Sequence, residues 1–345
     1  MKSFLHTFAA AIWFGVALPQ LQITANCPVA RAQSPASTAE AEQEPSKISR
    51  PTYKVDATLV NVDVLVTDDS GRVLTGLKRG NFRILDNGSP QKVADFAPTS
   101  APITVVVLME YSAASYSYFA GKAADWGTTF LSHLEPRDWV ALTTFDMRSK
   151  VQVDFTHKQY DVRDAIYQLG SPQFREVNLY DALGDTLDRL KGVRGRKSVL
   201  LLATGLDTFS VTTLDEIYDR LKRTDATIFC IGLAEAEYTR YGGTSISYLQ
   251  GKNALTMFAK QTGGLALFPR FEGELPDIFR SVVGFLRSEY TLTFRPPPEI
   301  RDGQYHRLKV EIVGADGKPL KVTDEKGKSH KVEVVAREGY MAPKG

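Results

Sequence analysis

Cysteine is nearly absent from this 345-residue chain: Cys27 and Cys230 are the only two, which excludes a disulfide-built scaffold and any multi-cysteine zinc site. Excess charge is lacking as well. The 42 basic and 40 acidic residues leave a formal charge of +2, and Lys2 and Arg31 supply it, so the chain beyond residue 32 is neutral. A neutral body gives no electrostatic grip on nucleic acid or an anionic membrane surface. Long apolar runs are missing beyond Phe4–Leu18, which excludes a protein of several membrane spans. There is no HExxH, no G-x-S-x-G and no glycine-rich phosphate loop, and His133, His157, His306 and His330 lie scattered without a His-x-His pair. Neither a zinc site nor a histidine-based catalyst is therefore expected.

What is present is a hydrophobic content of 43% against 24% charged residues, enough for a substantial core. Lys2, the run Phe4–Leu18 and Ala30-Arg31-Ala32 follow one another as the parts of an export signal do. The run is shorter than the roughly 20 residues a spanning helix needs. Residues 1–32 are expected to be a cleaved signal peptide, with a retained anchor and a lipoprotein as the alternatives, and the product to be periplasmic or secreted with no stable membrane insertion. Cys230 is then the only thiol, and its place in the apolar stretch TIFCIGL points to a buried, inert one. Residues 33–51, rich in Pro, Ser, Ala, Glu and Gln, cannot bury enough apolar area to offset their ordering entropy and read as a flexible linker.

From Tyr53 the pattern has period two: Val60, Val62, Val64 and Val66 predict a strand with one buried face, and the Asp86-Asn87-Gly88 turn predicts a hairpin. After residue 98 the chain alternates. Ile103–Met109 is a continuous apolar run of the kind buried on both faces of a parallel sheet. Further strands are predicted at 139–145, 198–203, 226–233 and 265–268. Helices are predicted near 117–134, 158–168, 179–191, 212–223, 252–262 and 274–287. Strands return at 290–294, 305–313, 318–322 and 331–336. The expected architecture is α/β: a doubly wound, mostly parallel sheet over 102–287 inserted into a small antiparallel β-sandwich made by 52–98 and 288–345. Neither β segment has enough strands to bury its face alone.

The segments VNVDVLVTDDSGRVLTGLKRGNFRILDNGSPQKV, PRDWVALTTFD, VNLYDAL, KSVLLLATGLDTFS and REGYMAP, with this order of strands, resemble the von Willebrand factor type A family. The resemblance is to its exported, VWFA-related variety of the acidobacterial type. It implies a loop face at the top of the sheet where family members bind Mg²⁺ through Asp-x-Ser-x-Ser, a Thr and an Asp. The matching positions are Glu110, Ser112, Ala114, Val177 and Thr204. Two hydroxyls and one carboxylate of the pattern are missing, too few hard ligands for Mg²⁺, so the adhesion site is expected to be degenerate and no cofactor is expected. Asp207 and Asp181 are the candidate replacement ligands. Asp181, near a helix start, suits the helix dipole, and Asp207 suits turn or capping use as well as ligation.

The loop YSAASYSY (111–118) and the insert 235–250 read as protein-contact loops or as ordinary solvated loops. The leading expectation is an exported, non-enzymatic module that binds a protein partner through the face carrying Glu110, Ser112, Ala114, Val177, Thr204 and Asp207. The runner-up is a metal-dependent adhesion domain with a rearranged Mg²⁺ or Ca²⁺ site of Glu110, Ser112, Thr204 and Asp207. The third is a hydrolase with Glu110 as general base, unaccompanied by a second acid or a nucleophile. Glu110 itself is expected at a solvated strand end, where charge reversal would matter little to folding.

Overall fold

The computed structural model describes residues 59–69, 72–97, 102–113, 115, 123–233, 246–323 and 327–344. The expected signal peptide (1–32) and linker (33–51), Ala114, Tyr116 to Tyr118 and residues 235–245 of the insert lie outside the described residues. The described chain belongs to one compact unit, Tyr53–Gly345.

Four strands come first: β1 (Val60–Asp68), β2 (Phe82–Asp86), β3 (Ser89–Gln91) and β4 (Val93–Ala97). The Asn87-Gly88 turn, with both residues at positive φ, closes the hairpin of β2 and β3. The alternating part of the chain then supplies β5 (Ile103–Glu110), β6 (Trp139–Phe145), β7 (Ser149–Thr156), β8 (Arg196–Ala203), β9 (Thr227–Gly232) and β10 (Ala266–Leu267). They form one sheet in the order β10-β9-β8-β5-β6-β7. All neighbours are parallel except β7, which turns back antiparallel along β6.

Among the described residues six helices cover this sheet: α1 (Ala123–Leu131), α2 (Gln159–Tyr167), α3 (Leu179–Leu190), α4 (Leu214–Arg223), α5 (Ile246–Thr262) and α6 (Leu275–Ser288). The alternation along β5 decides which helix meets which face. Val105, Val107 and Met109 pack with Phe130 of α1, Val162 of α2 and Phe279 of α6. Val106 and Leu108 pack with Leu183 of α3, Ile217 of α4 and Phe258 of α5. Thr213 and Glu216 cap α4 reciprocally. Cys230, on β9, is fully buried in the second of these cores, and burial raises its thiol pKa.

The chain closes with β11 (Tyr290–Phe294), β12 (Tyr305–Ile312), β13 (Val322–Thr323), β14 (Ser329–His330), β15 (Val332–Ala336) and β16 (Gly339–Met341). Early and late strands combine in two antiparallel sheets, alternating in β15-β1-β11-β4 and meeting at the β12–β2 pair in β16-β12-β2-β3. The two share a core that includes Val62, Val64, Ile84, Leu292, Phe294 and Val310.

Several expectations need correction. β1 is buried at all but one position, not on one face, because its other side meets the amino edge of the parallel sheet. There Asp63 accepts hydrogen bonds from Thr291 at 2.5 Å and Thr227 at 3.3 Å. The strand expected at 318–322 is reduced to the short pair β13–β14. α5 begins at Ile246 and runs through Gly251, a residue that reads as a helix breaker.

Candidate functional site at the carboxyl edge of the parallel sheet

Chain order reverses between β5 and β8: the chain leaves β5 for β6 on one side and returns to β8 on the other. In open α/β sheets the crevice at such a switch point, beyond the carboxyl ends of the strands, is where ligands bind. Glu110 ends β5 and Thr204 follows the last residue of β8, so both stand at this crevice.

The crevice is closed from within. Glu110 is 0% exposed, which corrects the expectation of a solvated strand end. Ser112 Oγ donates to its Oε1 at 2.9 Å. The Thr204 backbone N–H and Oγ1 both donate to Oε2, at 2.7 and 2.8 Å. The physical reason is reach: the glutamate arm spans from β5 to the loop after β8 and there satisfies a backbone N–H that burial would otherwise orphan. Burial raises the Glu110 pKa, and the bonds from Thr204 and Ser112 oppose that rise. Ser115 completes the knot, its N–H donating to Ser112 Oγ at 3.2 Å and its hydroxyl lying 3.3 Å from the Glu110 carbonyl oxygen.

The other predicted positions are placed elsewhere. Val177 is buried in the core beside α3, and its backbone carbonyl accepts from the N–H groups of Thr208 and Phe209 at 2.8 and 2.9 Å. Asp207 Oδ1 accepts from the Tyr180 N–H at 3.2 Å and from Ser210 Oγ at 2.5 Å, so it caps α3 from the neighbouring loop. Asp181 accepts the N–H groups of Val211 and Thr212, each at 2.9 Å. Burial works against its charge, but these bonds prevail and lower its pKa. The structure thus brings Glu110, Ser112 and Thr204 together and sets Asp207 in a separate cluster at the start of α3.

Mg²⁺ does not fit this donor set. Both Glu110 oxygens are occupied by N–H or O–H donors, and Thr204 turns its proton, not a lone pair, toward the carboxylate. Among the described residues no three His, Cys, Asp or Glu side chains are grouped to share a metal ion.

The loops around the crevice are bound to one another. Ala113 N–H donates to the Phe174 carbonyl at 2.7 Å, and Asn178 N–H to that of Asp146 at 2.8 Å. Gly205, at φ +82°, lies against α5 so closely that a Cβ there would stand 2.3 Å from the Gly251 carbonyl oxygen. That approach explains the glycine inside α5, since a Cβ on Gly251 would in turn meet the Thr204 oxygen at 2.6 Å.

Outward from this locked assembly point apolar side chains that sequence reasoning missed: Phe174, Phe209, Val211, Ile246, Leu249 and Phe271 are exposed, Val211 at 90% and Ile246 at 77%. The signal available was Phe209 and Val211 inside the polar run DTFSVTT, where no helical or strand period calls for them.

No family model and no curated protein matches the chain. Among solved structures it is similar to a von Willebrand factor type A protein from Catenulispora acidiphila, at 12% identity and a TM-score of 0.43, over 74% of this chain and 72% of that one. It is also similar to the vWF domain of the type V pili tip protein Mfa5 from Porphyromonas gingivalis, at 12% identity and a TM-score of 0.42, over 54% of this chain and 95% of that one. A third is the PilB minor pilin from Streptococcus sanguinis, at 11% identity and a TM-score of 0.43. That match covers 55% of this chain, which spans only 62% of the pilin.

Proposed function

We propose that this chain is an exported, non-enzymatic protein-interaction module of the von Willebrand A-like kind. In this reading the α/β unit, inserted in the small antiparallel sandwich, offers its carboxyl-edge loop face to a protein partner. The family's metal-ion-dependent adhesion site is degenerate, and the partner is held by apolar and hydrogen-bonding contacts in place of a bridging cation. The observation that carries the reading is the set of exposed apolar side chains, Phe174, Phe209, Val211 and Phe271 on loops and Ile246 and Leu249 on the first turn of α5, beside a crevice whose carboxylate is already satisfied. Exposed apolar patches of this kind mark interaction sites. The product is periplasmic or secreted, with residues 33–51 as its linker. No helix among the described residues is long and apolar enough to cross a membrane.

The test is capture from an envelope extract in EDTA, with the wild-type chain and a Val211→Asp, Ile246→Asp double variant. Both residues are exposed, so the variant should melt as the wild type does. The wild type should retain partners that the variant loses. Capture that is equal for the two, or that requires Mg²⁺ or Ca²⁺, would overturn the proposal.

A further inference from the structure

Beside the closed crevice, an open cleft of about 410 Å³ lies across the first turns of α3, between the β6–β7 turn and the loop leading into α4. Its floor and walls have opposite chemistry. The floor carries Asn178, Asp181 and Asp185, whose spacings of three and four residues put them on one side of the helix. The walls carry Arg148 from the β6–β7 turn and Arg220 from α4.

These groups differ in what they have left to give. Both Asp181 oxygens are taken by the Val211 and Thr212 N–H groups. Asp185 accepts from Ser149 Oγ on one oxygen at 3.2 Å, which leaves the other open. Arg220 spends one nitrogen on Asp188 at 3.3 Å, while the Arg148 guanidinium has no ion pair or hydrogen bond among the described residues.

Asn178 adds an adaptable amide to the floor. It stands at the start of α3, lines the cleft and makes no capping bond. Rotation that exchanges Oδ1 and Nδ2 lets it turn either a donor or an acceptor toward a ligand.

We propose that this cleft binds a small zwitterion, an α-amino acid, with its ammonium on Asp185 and the Asn178 amide and its carboxylate on Arg148 and the open side of Arg220. A simple anion would meet the carboxylate floor. A simple cation would meet the unpaired guanidinium of Arg148. A ligand bearing both charged groups on one carbon satisfies floor and wall together, by charge-assisted hydrogen bonds. The cleft has the size of small-molecule sites, and its open side leaves room for a side chain. This site is distinct from the apolar rim, so its failure would leave the loop-face reading standing.

The experiment is calorimetric titration and thermal shift of the full chain with each of the twenty L-amino acids at millimolar concentration. Each binder is then followed by its decarboxylated amine and its deaminated acid. At least one amino acid should bind saturably, and both analogues should bind at least about tenfold more weakly. Arg148→Gln and Asp185→Asn alter exposed side chains and should each weaken binding about tenfold while the unliganded melting temperature stays put. The proposal is overturned if no amino acid gives a saturable signal, if the amine binds as tightly as its parent, or if both variants bind as the wild type does.

Discussion

Glu110 allows a sharp separation of a hydrogen-bonding role from an ionic one, through the pair Glu110→Ala and Glu110→Gln. Alanine removes the acceptor of three donors, Ser112 Oγ, Thr204 N–H and Thr204 Oγ1, and leaves a void in a fully buried position. A buried N–H left unpaired costs about 1–3 kcal/mol. With the lost hydroxyl bonds and the void, the total comes to about 3–5 kcal/mol, a large share of the ~5–15 kcal/mol by which domains are stable. Glutamine fits differently. Both Thr204 donors go to Oε2, so the amide oxygen can accept them there, while the amide nitrogen donates to Ser112 Oγ once that hydroxyl rotates. Glu110→Gln should therefore cost about 1 kcal/mol or less. Because burial raises the Glu110 pKa above 4.5, the carboxyl favours folding in its protonated form, and that contribution is lost as pH rises through its folded value. The glutamine variant should then gain on the wild type under alkaline conditions. Urea unfolding of the three proteins at neutral and alkaline pH, each with EDTA and with Mg²⁺, measures all of this. A glutamine variant as damaged as the alanine one, together with an EDTA-sensitive wild type, would refute the clasp and restore a metal site.

Other regions of the chain should respond to pH and to backbone substitution. Burial and the nearby Asp63 charge hold the Glu289 pKa up at about 8, against the opposing Arg196 guanidinium. A raised acid loses its contribution as pH climbs from 4.5 through 8, so wild-type stability should fall over that range and Glu289→Gln should flatten the fall. Equal slopes in denaturant titrations at several pH values would contradict this. His306 Nδ1 bonds Asp86 at 2.7 Å and its Nε2 lies 3.2 Å from Asp302, while the Tyr340 hydroxyl donates to Asp86 at 2.7 Å. Burial disfavours the His306 charge, but the two aspartates outweigh it and raise the pKa above 6.5, so this stabilisation is complete below 6.5 and fades as pH rises through the folded value. His306→Gln should cost about 1–3 kcal/mol at pH 6 and less at pH 9, and a pH-independent cost would count against the ion pair. Gly205→Ala should cost at least about 1–3 kcal/mol from its left-handed backbone alone, with overlap against Gly251 in addition. Hydrogen exchange should then show the start of α5 opening, and unchanged exchange there would rule out the close packing.

The parts of the fold legible in the sequence are those where one local pattern has one reading. Ile103–Glu110 is buried at every position, and its unbroken apolar run admits only a strand covered on both faces. The segment SKVQVDFT, β7, is absent from the predicted strands although Val151, Val153 and Phe155 alternate with Lys150, Gln152 and Asp154, the period-two signal of a strand half open to water. The start of α5 was hidden by Gly251, whose reason is a loop 46 residues earlier. Burial of Glu110 is of the same kind: the identity of the residue predicts exposure, and the donor that overrules it, Thr204, lies 94 residues away. The Asp86–His306–Tyr340 cluster needs three strands from both ends of the chain, and scattered histidines in a sequence carry no hint of it.

The carboxyl edge of a parallel sheet attracts anions because helix starts and strand ends leave backbone N–H groups unpaired there. In this chain its own carboxylates reach those groups first. Glu110 takes the N–H of Thr204, Asp207 that of Tyr180, Asp181 those of Val211 and Thr212, and Glu216 that of Thr213. Each of these bonds ties a loop to an element other than its own or caps a helix, so the same contacts that pre-empt an anion also hold the loop face in one shape. A face so arranged has little left with which to recognise phosphate or a bridging cation. It keeps what those bonds do not consume, the exposed apolar side chains of Phe174, Phe209, Val211 and Ile246, so on the proposed reading a partner is held mainly by shape and apolar burial, which lose nothing in EDTA or at high salt.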